Sequence, residues 1–167
     1  MSITPQIMKD VQLGNIDGVQ RFLDSHPSKS DIQNMIYVAA GNGHTECVKM
    51  MLPVSLVSGS QIKHTNALKI AARKGHAQCV ELLIPMSNPL SDSSAALCAA
   101  IESGDQRCID LLFSVSDPQA ALEKFQYEYS EEPELYEALE HMIAQRQKQV
   151  LDGSLGDIPN AHGVRKM

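Results

Sequence analysis

Gly43-His44-Thr45-Glu46-Cys47-Val48 is a hexapeptide that this chain of 167 residues uses more than once. It returns as Gly75-His76-Ala77-Gln78-Cys79-Val80 and as Gly104-Asp105-Gln106-Arg107-Cys108-Ile109, and a weaker copy begins at Gly14. The four glycines are 29, 32 and 29 residues apart. Self-similarity at a period between about 20 and 50 residues indicates stacked supersecondary units that bury their apolar faces against one another.

Each of these glycines has the same apolar neighbours. In the third unit they are Leu68, seven positions before the glycine, and Val80 and Leu83-Ile84, five, eight and nine positions after it. Spacings of three and four residues predict one apolar face on each of two helices. Glycine suits the left-handed turn between them. We expect the second helix to end near Pro53 or Pro85, because proline has no backbone N–H to donate.

The stretch Asn66–His76 resembles an ankyrin repeat. It keeps the leucine, both alanines and the final Gly-His of the family's T-P-L-H-x-A-A-x-x-G-H pattern, but lacks the Thr, the Pro and the first His. The resemblance extends over residues 4–118. The repeats are similar to a divergent branch of the family that is often met in bacterial proteins. It implies an all-α ankyrin-repeat solenoid of stacked helix-turn-helix units. Because the family's usual hairpin residues are missing, we expect little or no β-hairpin.

The chain is predicted to form one ankyrin-repeat domain over residues 1–151, closed by a C-terminal helical cap, and a flexible tail over 152–167. The units are expected at residues 4–27, 31–57, 63–89 and 94–116, and the capping helices at 118–150. A solenoid needs polar outer faces at its ends. In the first unit Lys9, Asp10 and Gln12 replace the alanine-rich pattern of the inner units and Gly18 replaces the cysteine of the hexapeptide, which we interpret as such a polar face.

Composition excludes several classes of function. The net charge is −6 and no basic stripe is present, so we expect no nucleic-acid partner. No window approaches about 18 apolar residues, so we expect no membrane partner or span. Cys47, Cys79 and Cys108 occupy one position in successive units, about 10 Å apart if the helices pack normally, which is too far for disulfides. We expect a cytoplasmic monomer; secretion into a host cell by a specialised system stays an alternative.

Two patterns resemble sites of chemistry. His44-x-x-Cys47 and His76-x-x-Cys79 have a spacing at which a helix can present zinc ligands. The interpretation we favour is that each histidine braces neighbouring loops by hydrogen bonds while the cysteine faces the core. The acidic residues between Glu128 and Glu140 are interpreted as a solvated helix start rather than as acid–base catalysts. We therefore expect no metal, no cofactor, no catalytic residue and no enzyme activity.

The resemblance implies protein binding through a rigid concave surface made by the first helices and the loop tips. The candidate residues lie on the first helix or just before each turn glycine: Gln12, Leu13, Tyr37, Asn42, Arg73, Lys74, Glu102 and Ser103. They change from neutral to basic to acidic along the array, whereas the core positions barely change. We predict a protein–protein interaction module that acts on a protein partner. The alternatives are a bacterial effector that uses the same surface on host proteins, and a metal protein or enzyme that uses the His/Cys pairs.

Overall fold

The computed structural model describes residues 4–56, 64–87, 93–128 and 133–152, which form ten α-helices and one 310 turn. The helix pairs of the array are α1 Pro5–Gln12 and α2 Ile16–Asp24, α3 Lys29–Gly41 and α4 Thr45–Leu56, α5 Thr65–Arg73 and α6 Ala77–Leu83 with the 310 turn Ile84–Met86, and α7 Ser93–Ser103 and α8 Gln106–Phe113. Two further helices follow, α9 Pro118–Glu128 and α10 Pro133–Leu151. No strand occurs in these ranges, so the all-α solenoid is confirmed. The tail predicted at 152–167 lies, apart from Asp152, outside the described residues.

The four turn glycines have the left-handed backbone that the repeat predicts. Their φ angles are 69°, 75°, 72° and 71° at Gly14, Gly43, Gly75 and Gly104. In the middle units the residue after the glycine donates its N–H to the carbonyl five positions earlier: His44 to Ala39 and His76 to Ala71, each at 2.9 Å. These bonds satisfy carbonyls at the end of the first helix and turn the chain into the second.

The helices stack in two rows. The first helices α1, α3, α5 and α7 pack successively on one another, and the second helices α2, α4, α6 and α8 form the neighbouring row. Cys47, Cys79 and Cys108 are all buried in the core between them. Burial, together with the hydrogen bond to the Asp105 carboxylate, raises the pKa of the Cys108 thiol to about 12. The cysteines therefore act as small core side chains, as predicted, rather than as reactive thiolates.

The prediction that the second helix ends at Pro53 was wrong. Helix α4 continues through Pro53 to Leu56. Proline removes one hydrogen bond, which the carbonyl of Lys49 would otherwise accept. Both Lys49 and Pro53 are exposed, so water can satisfy that carbonyl and the helix continues. In the third unit, by contrast, the α-helix does end at Leu83, and Pro85 lies within the 310 turn.

Of the polar residues expected on the outer face of the first unit, Lys9 and Gln12 are exposed, but Asp10 is buried. The residue is only 6% exposed. Its Oδ1 accepts hydrogen bonds from the amides of Gln6 at 3.1 Å and Asn15 at 3.0 Å. A Cβ atom at Gly18 would lie 2.4 Å from the Asp10 Cβ. Asp10 thus fills the space that Gly18 leaves empty, and the two substitutions form a matched pair in place of the alanine and cysteine of the other units.

The last two helices cover the fourth unit. Helix α9 packs on α7, and α10 packs on both. The Asp117 carboxylate caps α9 by accepting the backbone N–H groups of Gln119 and Ala120. The Arg146 guanidinium lies 4.7 Å from the ring centroid of Phe113 and 2.7 Å from Asp110 Oδ1. None of the helices in the described ranges is long and apolar enough to cross a bilayer.

Candidate partner-binding surface

The first helices stack in the order α1, α3, α5 and α7, and the eight predicted surface residues lie on these helices or at the turns that follow them. We call this surface the first-helix face and define it by the eight residues predicted above. Leu13 is 68% exposed and Tyr37 is 43% exposed, and both are among the few large apolar side chains that solvent reaches. Asn42 and Lys74 are exposed at equivalent turns of the second and third units. Because the turns have equivalent backbones, Asn42 and Lys74 occupy equivalent positions in their units but differ in chemistry.

Arg73 and Glu102, predicted as separate basic and acidic positions, contact one another. Arg73 Nε lies 3.3 Å from Glu102 Oε2, so the pair bridges α5 and α7. The other carboxylate oxygen, Glu102 Oε1, is the only fully buried side-chain polar atom without a hydrogen-bond partner in the described ranges. The charges of Arg73 and Glu102 partly neutralise each other here, whereas Lys74 is exposed and forms no ion pair with another described residue.

The histidines that follow Gly43 and Gly75 contact the preceding units. His44 Nε2 donates to the carbonyl of Gln12 at 2.8 Å, so the predicted brace is confirmed for this histidine. The rings of His44 and His76 lie directly over the turn glycines of the preceding units, where an added Cβ would come within 2.6 Å and 2.8 Å of them. Gly14 and Gly43 are therefore required for their backbone angles and also for the packing of the next unit.

The His/Cys pairs have two different surroundings. The histidines contact the turns, as just described, whereas Cys47 and Cys79 are 1% and 0% exposed in the core. Thr45 Oγ1 lies 3.6 Å from Cys79 Sγ, which places this cysteine against the preceding unit. Over the part of the chain that the structure describes, no group of three or more His, Cys, Asp or Glu residues is placed to hold a metal.

A polar pocket of about 160 Å³ lies between α3 and α5, beside Tyr37. It is lined by Gln33, Asn34, Tyr37, His64, Asn66 and Ala67. This pocket was not predicted from the sequence. Its signal was a polar residue at a core position, because His64 stands eleven residues before its turn glycine, where the second unit has the buried Ile32.

A hydrogen bond to Ser55 holds the side chain of His64 in place. His64 is 3% exposed, and its Nε2 lies 3.0 Å from the hydroxyl of the fully buried Ser55. That hydroxyl in turn donates to the carbonyl of Leu52 at 2.6 Å. Burial lowers the pKa of His64 from its ordinary value of 6.5, so the imidazole is neutral at pH 7.

The comparisons with known proteins give one family. A family model described as ankyrin repeats (3 copies) matches the chain over residues 7–86 and again over residues 54–122. The two matches together cover well over half of the chain, including all four turn glycines. No curated protein and no solved structure matches it.

Proposed function

Because the chain belongs to the ankyrin-repeat family, whose members are generally protein–protein interaction modules, we propose that it binds a protein partner through the first-helix face and catalyses no reaction. The observation that supports this most is the contrast between scaffold and surface. Ala39, Ala71 and Ala100 are fully buried at one position of successive first helices. Three residues further along the same helices, Asn42, Lys74 and Ser103 present different chemistry.

The physical character of the face suits a protein rather than a small molecule. The first helices and their turns are fixed by inter-unit contacts such as the His44 bond to Gln12, so binding requires little rearrangement of the backbone. Tyr37 and Leu13 supply exposed apolar area, and tyrosine is enriched among residues that dominate binding energy. Lys74 adds an exposed charge that can guide a complementary partner.

Affinity capture with matched variants tests this proposal. The full chain is immobilised and exposed to lysate from its native source, and retained proteins are compared with those retained by Lys74→Glu and by Tyr37→Ala. The control is Lys148→Glu, which makes the same charge change at an exposed position of α10. Circular dichroism verifies that all variants are folded.

We expect a set of proteins that the unaltered chain and the Lys148→Glu control retain equally. Retention should fall about fivefold or more for Tyr37→Ala if this side chain is an interface anchor. Proteins retained equally by all four forms would show that binding does not use the first-helix face.

A further inference from the structure

The pocket beside Tyr37 has the size of a single side chain. Pockets for drug-sized ligands occupy about 300–1,000 Å³, whereas a cavity of about 150 Å³ already accommodates a molecule as small as benzene. At about 160 Å³ the pocket between α3 and α5 belongs to the second class. Since Tyr37 is part of the first-helix face, a partner docked on that face can place one of its side chains in the pocket.

The hydrogen bonds behind His64 fix which of its nitrogens carries the proton. Ser55 has one hydroxyl proton, and the 2.6 Å bond directs it to the carbonyl of Leu52. The Ser55 oxygen can then only accept from His64 Nε2 at 3.0 Å, so Nε2 carries the imidazole proton. In the neutral ring, Nδ1 is consequently a lone-pair acceptor.

The acceptor Nδ1 is available to a ligand. Nothing in the described ranges donates a hydrogen bond to it. It is also not fully buried, because the only fully buried side-chain polar atom without a partner in those ranges is Glu102 Oε1. His64 lines the pocket, so its remaining exposed surface faces this space.

The other lining groups decide between ligand chemistries. Gln33, Asn34 and Asn66 contribute carboxamides and Tyr37 a phenol, and no charged side chain occurs among the described residues of the lining. A carboxylate would meet the Nδ1 lone pair without a compensating cation, and an ammonium group would lose water without a compensating anion. An alkyl group would leave the polar lining unpaired. A primary carboxamide, with two donors and one acceptor oxygen, matches both kinds of group.

We propose that the pocket receives the side-chain carboxamide of an asparagine or glutamine of the protein partner, whose N–H is donated to His64 Nδ1. This inference rests on the proposed function, because it names the chemistry that the first-helix face recognises. Tyr37, Asn66 and their neighbours complete the recognition by exchanging hydrogen bonds with the carboxamide oxygen and the second N–H.

A titration followed by nuclear magnetic resonance tests the chemistry of the pocket without the partner. The full chain, labelled with ¹⁵N, is titrated with propionamide, which reproduces the glutamine side chain. Two probes of similar shape serve as comparisons: 2-butanone has a methyl group in place of the NH₂, and propionate has a charge. The variant Asn66→Ala removes one carboxamide of the lining, and Gln147→Ala removes an exposed one from α10, outside both the pocket and the first-helix face.

We expect propionamide to shift the backbone resonances of Tyr37, Asn66 and Ala67 in a saturable manner. Its affinity should be about threefold to tenfold higher than that of 2-butanone or propionate, the effect of one or two hydrogen bonds. Asn66→Ala should weaken it to a similar extent and Gln147→Ala should not. Equal affinities for propionamide and 2-butanone, or shifts that do not localise to these residues, would overturn the inference.

A second measurement separates this inference from the proposed function. Proteins captured through the first-helix face are challenged with propionamide and with 2-butanone, and only propionamide should release them. Capture that depends on Tyr37 but resists propionamide overturns the carboxamide inference and leaves the proposed function intact. If propionamide binds the pocket but no protein is retained through the first-helix face, the proposed function is contradicted. The assignment of the ligand to a protein partner then fails as well.

Discussion

Asp10 and Gly18 share one volume in the first unit, and each explains the other. The Gly18→Cys variant, which restores the residue of the other units, should place its Cβ against Asp10 and destabilise the protein by about 1–3 kcal/mol, as overpacking does. The double variant Asp10→Ala/Gly18→Cys should regain much of this loss, because it reproduces the pair of the inner units. Urea unfolding of the two single variants and the double variant measures the coupling. Strictly additive losses would contradict the matched-pair interpretation.

His64 gives the stability a dependence on pH that can be assigned to one residue. Burial lowers the pKa of His64 in the folded chain, whereas in the unfolded chain it titrates near 6.5. The unfolded state therefore binds the proton first, so stability decreases as the pH falls from 7.5 through 6.5 towards the lowered folded pKa.

The matched variant for this test is His64→Ile, since the second unit has Ile32 at the same position and Ser55 keeps its bond to Leu52. The melting temperature of the unaltered chain should fall more between pH 7.5 and pH 5.5 than that of the variant. Asp105, whose pKa is lowered by the backbone N–H of Cys108, loses its stabilising charge only at still more acidic pH. An equal decrease in both proteins would exclude His64 as the cause.

At the scale of helices and turns, the glycines separate two contributions to the free-energy cost of adding a side chain. One is the unfavourable backbone conformation, and the other is the clash with the next unit. Gly43 and Gly104 have nearly equal φ angles, 75° and 71°. A Cβ at Gly43 meets the His76 ring at 2.8 Å, whereas at Gly104 it meets nothing within 4 Å. Alanine at either site adopts an unfavourable left-handed conformation, which costs about 1–2 kcal/mol.

Gly43→Ala should consequently destabilise the chain by about 1 kcal/mol or more beyond Gly104→Ala, because only the former also displaces a packed ring. Denaturant unfolding of the two variants side by side provides the measurement. The variant His76→Ala, which removes the obstructing ring, should reduce the difference when combined with Gly43→Ala. Equal losses at the two glycines would mean that the histidine ring moves aside without cost.

The sequence was most informative where structure depends on local spacing. The helix pairs, the left-handed glycines and the buried cysteines follow from a period that short-range physics maintains. The continuation of α4 through Pro53 depends on whether the Lys49 carbonyl reaches water, which spacing does not encode. Asp10 appeared polar and peripheral because its partners, the Gln6 and Asn15 amides and the space above Gly18, become visible only when the helices pack.

The candidate surface was predictable to a smaller extent than the fold. The register of the turn residues fixed the position of Asn42 and Lys74, but the charges at Arg73 and Glu102 were interpreted separately although they pair across α5 and α7. The pocket requires Ser55 and His64, which lie on either side of residues 57–63, to meet in space. The only indication of the pocket in the sequence was His64, which stands at the position where the second unit has the apolar Ile32. A single polar substitution in a repeat has many explanations.

On the scale of the whole molecule, stability should be transmitted mainly between neighbouring units. The contacts of α1 are with α2 and α3 above all, and those of α10 are with α9 and α7. In an array of this kind stability is approximately a sum of unit and nearest-neighbour terms. A local defect should therefore increase opening near its own end, by a factor that rises exponentially with the lost free energy.

Hydrogen exchange on two variants with defects at opposite ends tests this transmission. Gly18→Cys should accelerate exchange in α1 to α4 much more than in α9 and α10. Arg146→Ala removes the contacts to Phe113 and to Asp110, whose side chain is 54% exposed, and should lose about 0.5–1 kcal/mol. That loss predicts exchange about twofold to fivefold faster in α10, with α1 to α4 unchanged. Lys148→Ala, on the same helix but exposed, is the control for effects of mutation in α10 itself. If instead both defects accelerate exchange equally in every helix, the chain opens as one cooperative unit and the nearest-neighbour description does not hold for it.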